Sequence, residues 1–243
     1  MDIQDRVVIV TGAASGIGRA TAVAFAKAGA RAVVLADWND ASDAEGEVAA
    51  AGCAALAHPT DVSDLESLRK LFAEVESRFG ALHVLHNNAA IGEGADLWPD
   101  VPPERCGRIV DVNLRGVVLG TQLAVEPMRR SGGGVVVSTS SGGGIIPVPQ
   151  QAVYAATKAG VIHFTKSCVP MHESHGVRVN CVCPGLVDTP MVLETGGGQV
   201  AEWLRPMYEG VKLLTPEDIA AAVLDIVRDD SLVGEAIAIG NEA

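Results

Sequence analysis

Tyr154 and Lys158 stand four residues apart in the stretch Val153-Tyr-Ala-Ala-Thr-Lys158. On a helix that spacing is about one turn, so the two side chains share a face. A tyrosine hydroxyl with a free pKa of about 10 is a poor base at neutral pH. A neighbouring ammonium favours the phenolate and lowers that pKa, which suits the pair to general acid–base work. Ser141 lies at the end of the apolar run Val135-Val136-Val137, where its hydroxyl would stand at the carboxyl end of a strand and face the phenol. Tyr-x-x-x-Lys also arises by chance on amphipathic helices, so the pair takes its meaning from the elements around it.

The first of those elements opens the chain. Arg6-Val-Val-Ile-Val10 is a short apolar run of the kind found in a strand buried on both faces. Thr11-Gly12-Ala-Ala-Ser15-Gly16-Ile17-Gly18 follows, and then an alanine-rich helical stretch to Gly29. Strand, glycine turn and helix in that order form a pyrophosphate cradle, because glycine lets the backbone approach closely and the helix start offers free N–H groups. The same turn would also serve plain helix–strand packing. A second strand, Ala32 to Ala36, ends at Asp37, about twenty residues past the turn, where a carboxylate can take both ribose hydroxyls of an adenosine. Asp37 would repel a 2′-phosphate: at about 4 Å and an effective dielectric of about 20, each charge pair costs up to about 4 kcal/mol. No Arg or Lys precedes Gly18 in the turn or follows Asp37, where Trp38 stands, so the reading favours NAD over NADP.

Strand and helix alternate through the rest of the chain. Ala54 to Ala57 reads as a strand running into His58-Pro-Thr-Asp61-Val62; Asp61 would touch an adenine or belong to the capping-rich start of the helix Leu65 to Phe79, which Ser63 or Asp64 opens. Leu82 to His86 is a fourth strand, with His83 and His86 read as satisfied, partly buried histidines. The amides of Asn87-Asn88 after it would hold a ribose or fasten the sheet. Glu104 to Arg130 reads as one long helical region whose Asn113, on propensity alone, faces solvent. Val135 to Thr139 is the fifth strand, Val153 to Glu173 a helix that Pro170 should kink or end, and Val177 to Val182 the sixth strand. Residues 189–210 contain three successive glycines and read as a lid over a substrate or a flexible surface loop, with Trp203, Met207 and Tyr208 as core packing by default or as lid anchors. Thr215-Pro216 opens a last helix and Ala236 to Ile239 is a final strand. No repeat or linker divides residues 1–243, so the expectation is one α/β domain: a Rossmann-type, doubly wound parallel sheet in three layers.

Composition narrows the function. A net charge of −12 argues against nucleic acid and anionic membrane surfaces as partners. No apolar run is long enough to span a bilayer. The polar start Met1 to Arg6 reads as no export leader, and five cysteines, an odd number, point to a reducing, cytoplasmic setting with buried thiols. Cys181 and Cys183 would share one face of a strand but lack further ligands nearby, so no metal is expected.

Thr11-Gly12-x-x-x-Gly16-x-Gly18, Asn87-Asn88-Ala89, Asn113, Ser141, Tyr154-x-x-x-Lys158 and Pro184-Gly185, in order and at family spacing, resemble the compact single-domain branch of the short-chain dehydrogenase/reductase family, from Arg6 to about Ile239. The resemblance implies Tyr154 as general acid/base and Lys158 as the group that lowers its pKa and binds the nicotinamide ribose. It implies Ser141 as hydrogen-bond partner of the substrate oxygen and Asn113 as holder of a water in a proton relay, against the helix-only reading. It places Gly12, Ser15, Gly16, Ile17 and Gly18 at the pyrophosphate, Asp37 and Trp38 at the adenosine ribose, and Asp61 and Val62 at the adenine. Asn87 and Ala89 would form the cofactor wall, with Pro184, Val187 and Thr189 near the nicotinamide. Pro147 to Tyr154 is similar to NAD-linked 15-hydroxyprostaglandin dehydrogenases, which would make Gln151 a substrate-hydroxyl ligand; a plain loop role remains equally open. Ala90 in place of glycine, Pro170-Met171-His172, and the ending Gly240-Asn241-Glu242 depart from the family pattern and put subunit packing and pocket closure in question.

The expected function is NAD-dependent interconversion of a small secondary alcohol and a ketone, in a homotetramer or homodimer. The rivals are an NADPH-dependent ketoacyl or carbonyl reductase and a dinucleotide-sensing protein without turnover.

Overall fold

The structure, a computed structural model, describes residues 1–242. Seven strands form one parallel sheet: β1 (Val7–Thr11), β2 (Ala32–Asp37), β3 (Ala54–Pro59), β4 (Val84–Asn87), β5 (Gly134–Thr139), β6 (Val177–Pro184) and β7 (Ala236–Ile239). Their spatial order is β3-β2-β1-β4-β5-β6-β7. β1, β2, β4, β5 and β6 are buried along their whole length, which is why β1, β2 and the start of β5 read as apolar runs; the edge strands β3 and β7 are partly exposed.

The helices are α1 (Gly16–Lys27), α2 (Ser42–Ala50), α3 (Leu65–Phe79), α4 (Pro103–Val110), α5 (Gly116–Arg130), α6 (Ala152–Ser167), α7 (Pro170–His175), α8 (Pro190–Glu194), α9 (Arg205–Gly210) and α10 (Pro216–Arg228). On one side of the sheet Phe25 of α1, Val48 of α2 and Ile219, Val223 and Val227 of α10 join Val8, Val33 and Val135. On the other, Leu71 and Val75 of α3, Ile109 of α4 and Met128 of α5 pack against Ile9, Leu85 and Val136. The result is three layers. The strand order reverses between β1 and β4, and the crevice beyond the carboxyl ends of those strands is where such a sheet receives a ligand.

Two expected helices are divided. The stretch Glu104 to Arg130 is interrupted by a π-helical turn at Asp111–Arg115, and this turn draws Asn113 inward to complete burial rather than leaving it to solvent. Val153 to Glu173 splits into α6 and α7, with Pro170 at the first turn of α7 where no N–H is required of it. The cap of α3 is Asp64, whose carboxylate accepts the N–H groups of Glu66 and Ser67.

Candidate active site

β5 ends at Thr139 and delivers Ser140 and Ser141 to the crevice, where the chain turns through Gly142–Gly144. Ser140 Oγ donates to the Lys158 carbonyl at 2.8 Å, which ties this turn to α6. A side chain at Gly144 would meet the Lys158 carbonyl carbon at 2.7 Å, so the approach requires glycine. Ser141 Oγ accepts the Gly143 N–H at 3.0 Å, which leaves its own hydrogen for the Tyr154 oxygen or a substrate oxygen. Tyr154 lies in the first turn of α6 with Lys158 one turn on, and the Lys158 Nζ is 5.5 Å from the Tyr154 ring centroid. The Nζ donates to the Thr139 carbonyl at 2.7 Å. Ser141, Tyr154 and Lys158 are thus brought together from a strand end and one helix face.

Electrostatics tune the trio. Burial holds the Lys158 ammonium down at about 8, against a smaller upward pull from the Cys183 and Cys181 thiols on β6. Tyr154 is only partly buried by area, yet its hydroxyl is recessed. That burial pushes its pKa up, the hydrogen bond with Ser141 pulls it down, and the charge of Glu93 raises it again. His86 is fully buried, and burial and the Lys158 charge press it to about 3, so it is neutral. Thr139 Oγ1 gives its only hydrogen to Asn88 Oδ1 (3.1 Å), so His86 Nε2, 2.9 Å from Thr139 Oγ1, carries the imidazole proton. His86 Nδ1 is then left without a partner, contrary to the satisfied histidine expected; His83 conforms, its Nδ1 accepting the Val7 N–H at 3.1 Å.

Asn113 uses its amide on the main chain of Ile91. Its Oδ1 accepts the Ile91 N–H and its Nδ2 donates to the Ile91 carbonyl, both at 2.8 Å, with Thr157 Oγ1 at 3.3 Å. The side chain is spent on fastening the segment after β4 to the π turn, so a water-holding role would fall to its main chain.

The dinucleotide side fits its expected occupant. Ser15 makes no side-chain cap to α1, and no acidic residue stands in the first helical turn, so the N–H groups there are free for an anion. A side chain at Gly18 would overlap the Gly12 carbonyl, and one at Gly12 would meet Ala89 at 2.8 Å; the close approach of turn, helix and β4 depends on both glycines. Thr189 stands over Gly16, where an added Cβ would lie 3.3 Å from its methyl. Asp37, buried at the end of β2, accepts the N–H groups of Ala14 and Asn39 at 2.9 Å each, which leaves lone pairs for a ribose. Trp38 is exposed, with the Arg108 guanidinium 5.4 Å from its ring centroid.

Other candidates are committed elsewhere. The Asp61 carboxylate accepts from Ser63 and pairs with Arg108 at 2.9 Å, so an adenine would meet it already engaged, beside the buried Val62. The Asn87 amide is turned away from the crevice to Thr121 at 3.1 Å, leaving only its main chain for a cofactor wall. Asn88 is the fastener, donating to the carbonyls of Thr11 and Gly12. Pro184 at the end of β6 and Val187 just beyond it are buried, and Asn241 braces that segment by bonding both main-chain groups of Leu186 at 2.8 Å. The chain ending flagged as a departure therefore supports this wall.

On the substrate side, Gln151 Nε2 would lie 3.7 Å from a Cβ on Gly92, and the triple-glycine turn at Gly197 comes within the same distance of Ala95. Residues 92–97, 142–151 and 189–210 thus converge, the last folded as α8 and α9 with Ala201 and Leu204 buried. Glu93 and Arg108 carry site geometry that the sequence did not disclose, and Asn241 stood out there only as part of an unusual chain ending. Among the described residues, no three His, Cys, Asp or Glu side chains gather as a metal set, and no helix is long and apolar enough to cross a membrane.

A parallel sheet with a glycine cradle at its switch point and a serine–tyrosine–lysine trio beside it defines an oxidoreductase that works with a nicotinamide dinucleotide. Residues 6–198 match the protein-family model described as short chain dehydrogenase. The chain is 34% identical over 250 residues to 15-hydroxyprostaglandin dehydrogenase [NAD(+)] of Bos taurus, covering 96% of this chain and 90% of that one. It is 36% identical over 238 residues to cis-4-hydroxycyclohexanecarboxylate dehydrogenase of Sinomonas cyclohexanicum, covering 97% and 95%. The crystal structure of levodione reductase superposes with a TM-score of 0.88 at 31% identity, covering 97% and 96%. The chain belongs to the short-chain dehydrogenase/reductase family, and it is an enzyme that interconverts a CH–OH group and a carbonyl by hydride transfer.

Proposed function

We propose that this enzyme is an NAD-dependent dehydrogenase of secondary alcohols with Tyr154 as its general acid/base. The observation that carries this is the convergence of Ser141, Tyr154 and a buried Lys158 at the carboxyl end of β5. Ser141 donates its hydrogen to the substrate oxygen, and the Tyr154 phenolate takes the hydroxyl proton. Lys158 keeps the phenolate accessible and offers its remaining N–H groups to the nicotinamide ribose. Bound in the glycine cradle, the dinucleotide supplies the hydride acceptor. Gly12, Ser15, Gly16, Ile17 and Gly18 hold the pyrophosphate, Asp37 and Trp38 the adenosine ribose, and Val62 and Asp61 the adenine edge. Main-chain groups of Asn87 and Ala89 line its wall, with Pro184, Val187 and Thr189 at the carboxamide. Asn113 maintains that wall through Ile91.

Asp37 supports NAD over NADP. Arg19, just past the glycine turn, is paired with Glu47 at 2.7 Å, and Arg108, over Trp38, with Asp61 at 2.9 Å. The segments around Tyr154 expose Ile145, Ile146, Leu193 and Met207, which suits a substrate with an uncharged apolar body; Gln151 is placed to bind its hydroxyl. Residues 189–210 act as the lid. An apolar hollow between the α4–α5 region and α6, lined by Val110, Leu114, Val153 and Ala156, suits the helix-to-helix contact of a homodimer or homotetramer in the cytoplasm.

The test is NADH formation with a panel of aliphatic and alicyclic secondary alcohols, run with NAD and with NADP. Turnover with NAD supports the reading; turnover with NADP alone overturns the role given to Asp37.

A further inference from the structure

The loop after β4 buries a carboxylate against the acid/base helix. Glu93 is 3% exposed, and its Oε1 accepts the N–H groups of Val153 at 2.9 Å and Tyr154 at 3.0 Å. The residue at the N-cap position of α6, Gln151, makes no side-chain cap, so a group sixty residues away in sequence fills that place. Its other oxygen, Oε2, is buried without a partner. A buried carboxylate is ordinarily surrounded by donors; this one spends one oxygen on the helix start and leaves the other bare. The loop that carries it is held in turn by Arg105 of α4, whose Nε and Nη2 donate to the Gly92 carbonyl at 2.9 and 2.6 Å.

We propose that Glu93 is a positioning residue for Tyr154: its carboxylate caps the first turn of α6, fixes the tyrosine in register with Ser141, and helps set the pH range of the enzyme by holding a negative charge at the start of the tyrosine's own helix. This rests on the reading of Tyr154 as the acid/base.

The charges facing Tyr154 come from several elements. Lys158 on α6 is the nearby cation, its Nζ 5.5 Å from the ring centroid. Glu93 is the anion that opposes it. Arg105 on α4 reaches only the Gly92 carbonyl, His86 on β4 is neutral, and the Cys181 and Cys183 thiols of β6 act on Lys158. The phenol therefore sits between an ammonium one turn along the helix and a carboxylate bonded to its own main-chain N–H. Activity in the oxidative direction rises as Tyr154 ionises. A group that opposes ionisation holds the acid limb of the profile at higher pH, and its removal moves that limb to lower pH.

Glu93→Gln keeps an acceptor for the two N–H groups and removes the charge, whereas Glu93→Ala removes both. The chain has two tyrosines, so in a Tyr208→Phe background the ultraviolet absorbance of tyrosinate reports Tyr154 alone, with no substrate or cofactor needed. In that background Glu93→Gln is expected to titrate Tyr154 at lower pH and to shift the acid limb of kcat/KM in the same direction, with the thermal midpoint retained. Glu93→Ala is expected to lower kcat as well, because the helix start is released. An unmoved tyrosinate titration in Glu93→Gln overturns the proposal. Full activity in Tyr154→Phe would instead overturn the acid/base reading, and the absorbance titration would still judge what Glu93 does to the phenol.

Discussion

Asp37 Oδ2 accepts the main-chain N–H of Ala14 at 2.9 Å, which binds the end of β2 to the glycine turn. The carboxylate that suits the ribose therefore also shapes the pyrophosphate cradle. Asp37→Ala removes this bond and the one from Asn39, each charge-assisted and contributing about 1.5–3 kcal/mol. NAD affinity is expected to fall by at least about tenfold, or about 1.4 kcal/mol, without a matching gain for NADP. Calorimetric titration with both dinucleotides checks this; tight NADP binding by the variant would show that Asp37 acts only as a charge barrier.

Lys158 makes apo-protein stability depend on alkaline pH. The folded state releases its proton near 8 and the unfolded state near 10.5. Between those values the unfolded chain binds more protons, so stability rises with pH across the window, by up to about 3 kcal/mol from this group. Urea unfolding of wild type and Lys158→Met over that range reads the difference. The variant should be flatter and no less stable at neutral pH, yet catalytically impaired.

His86 acts at the acid end. It stays neutral in the fold down to about 3, whereas the unfolded imidazole protonates near 6.5. Below 6.5 the unfolded state binds the extra proton, so stability falls as pH drops from 6.5 towards 3, by up to about 5 kcal/mol. Replacing His86 by Leu should weaken this acid sensitivity in denaturant titrations at pH 7, 5.5 and 4.5. An unchanged pH slope would contradict the buried neutral imidazole.

Asn113→Leu leaves the N–H and the carbonyl of Ile91 unpaired in a buried place, at about 1–3 kcal/mol each. Even a 2 kcal/mol loss lowers the thermal midpoint of a domain this size by about 4 °C or more. Calorimetry should show that drop with the dinucleotide absent, which separates the structural bond from any catalytic effect.

The sheet was legible because β1, β2 and β5 are buried on both faces and appear as Val- and Ala-rich runs, and because β6, though it carries Arg178 and Asn180, keeps valine at every second position from Val177 to Val179. Tyr154 and Lys158 were legible because helix spacing converts directly into a shared face, and Gly12 and Gly18 because the turn leaves no room for side chains. The π turn at Asp111–Arg115 was hidden, since its apolar spacing does not differ enough from an α-helix to show where Asn113 swings inward. Glu93 gave no signal in the sequence because the N–H groups it caps belong to α6, sixty residues on. Asn87 and Asn88 are adjacent amides with opposite orientations, one towards Thr121 and one towards the glycine turn, and strand alternation alone did not say which.

The most direct measurement of the central claim is the rate of NADH formation by wild type and Tyr154→Phe on an alcohol that wild type oxidises, with NAD binding to both measured beside it. Tyr154→Phe is expected to bind NAD as wild type does and to lose about 10²–10⁴-fold in kcat, the usual contribution of a positioned acid/base. A variant that turns over at the wild-type rate would contradict it and would place the proton transfer on another group.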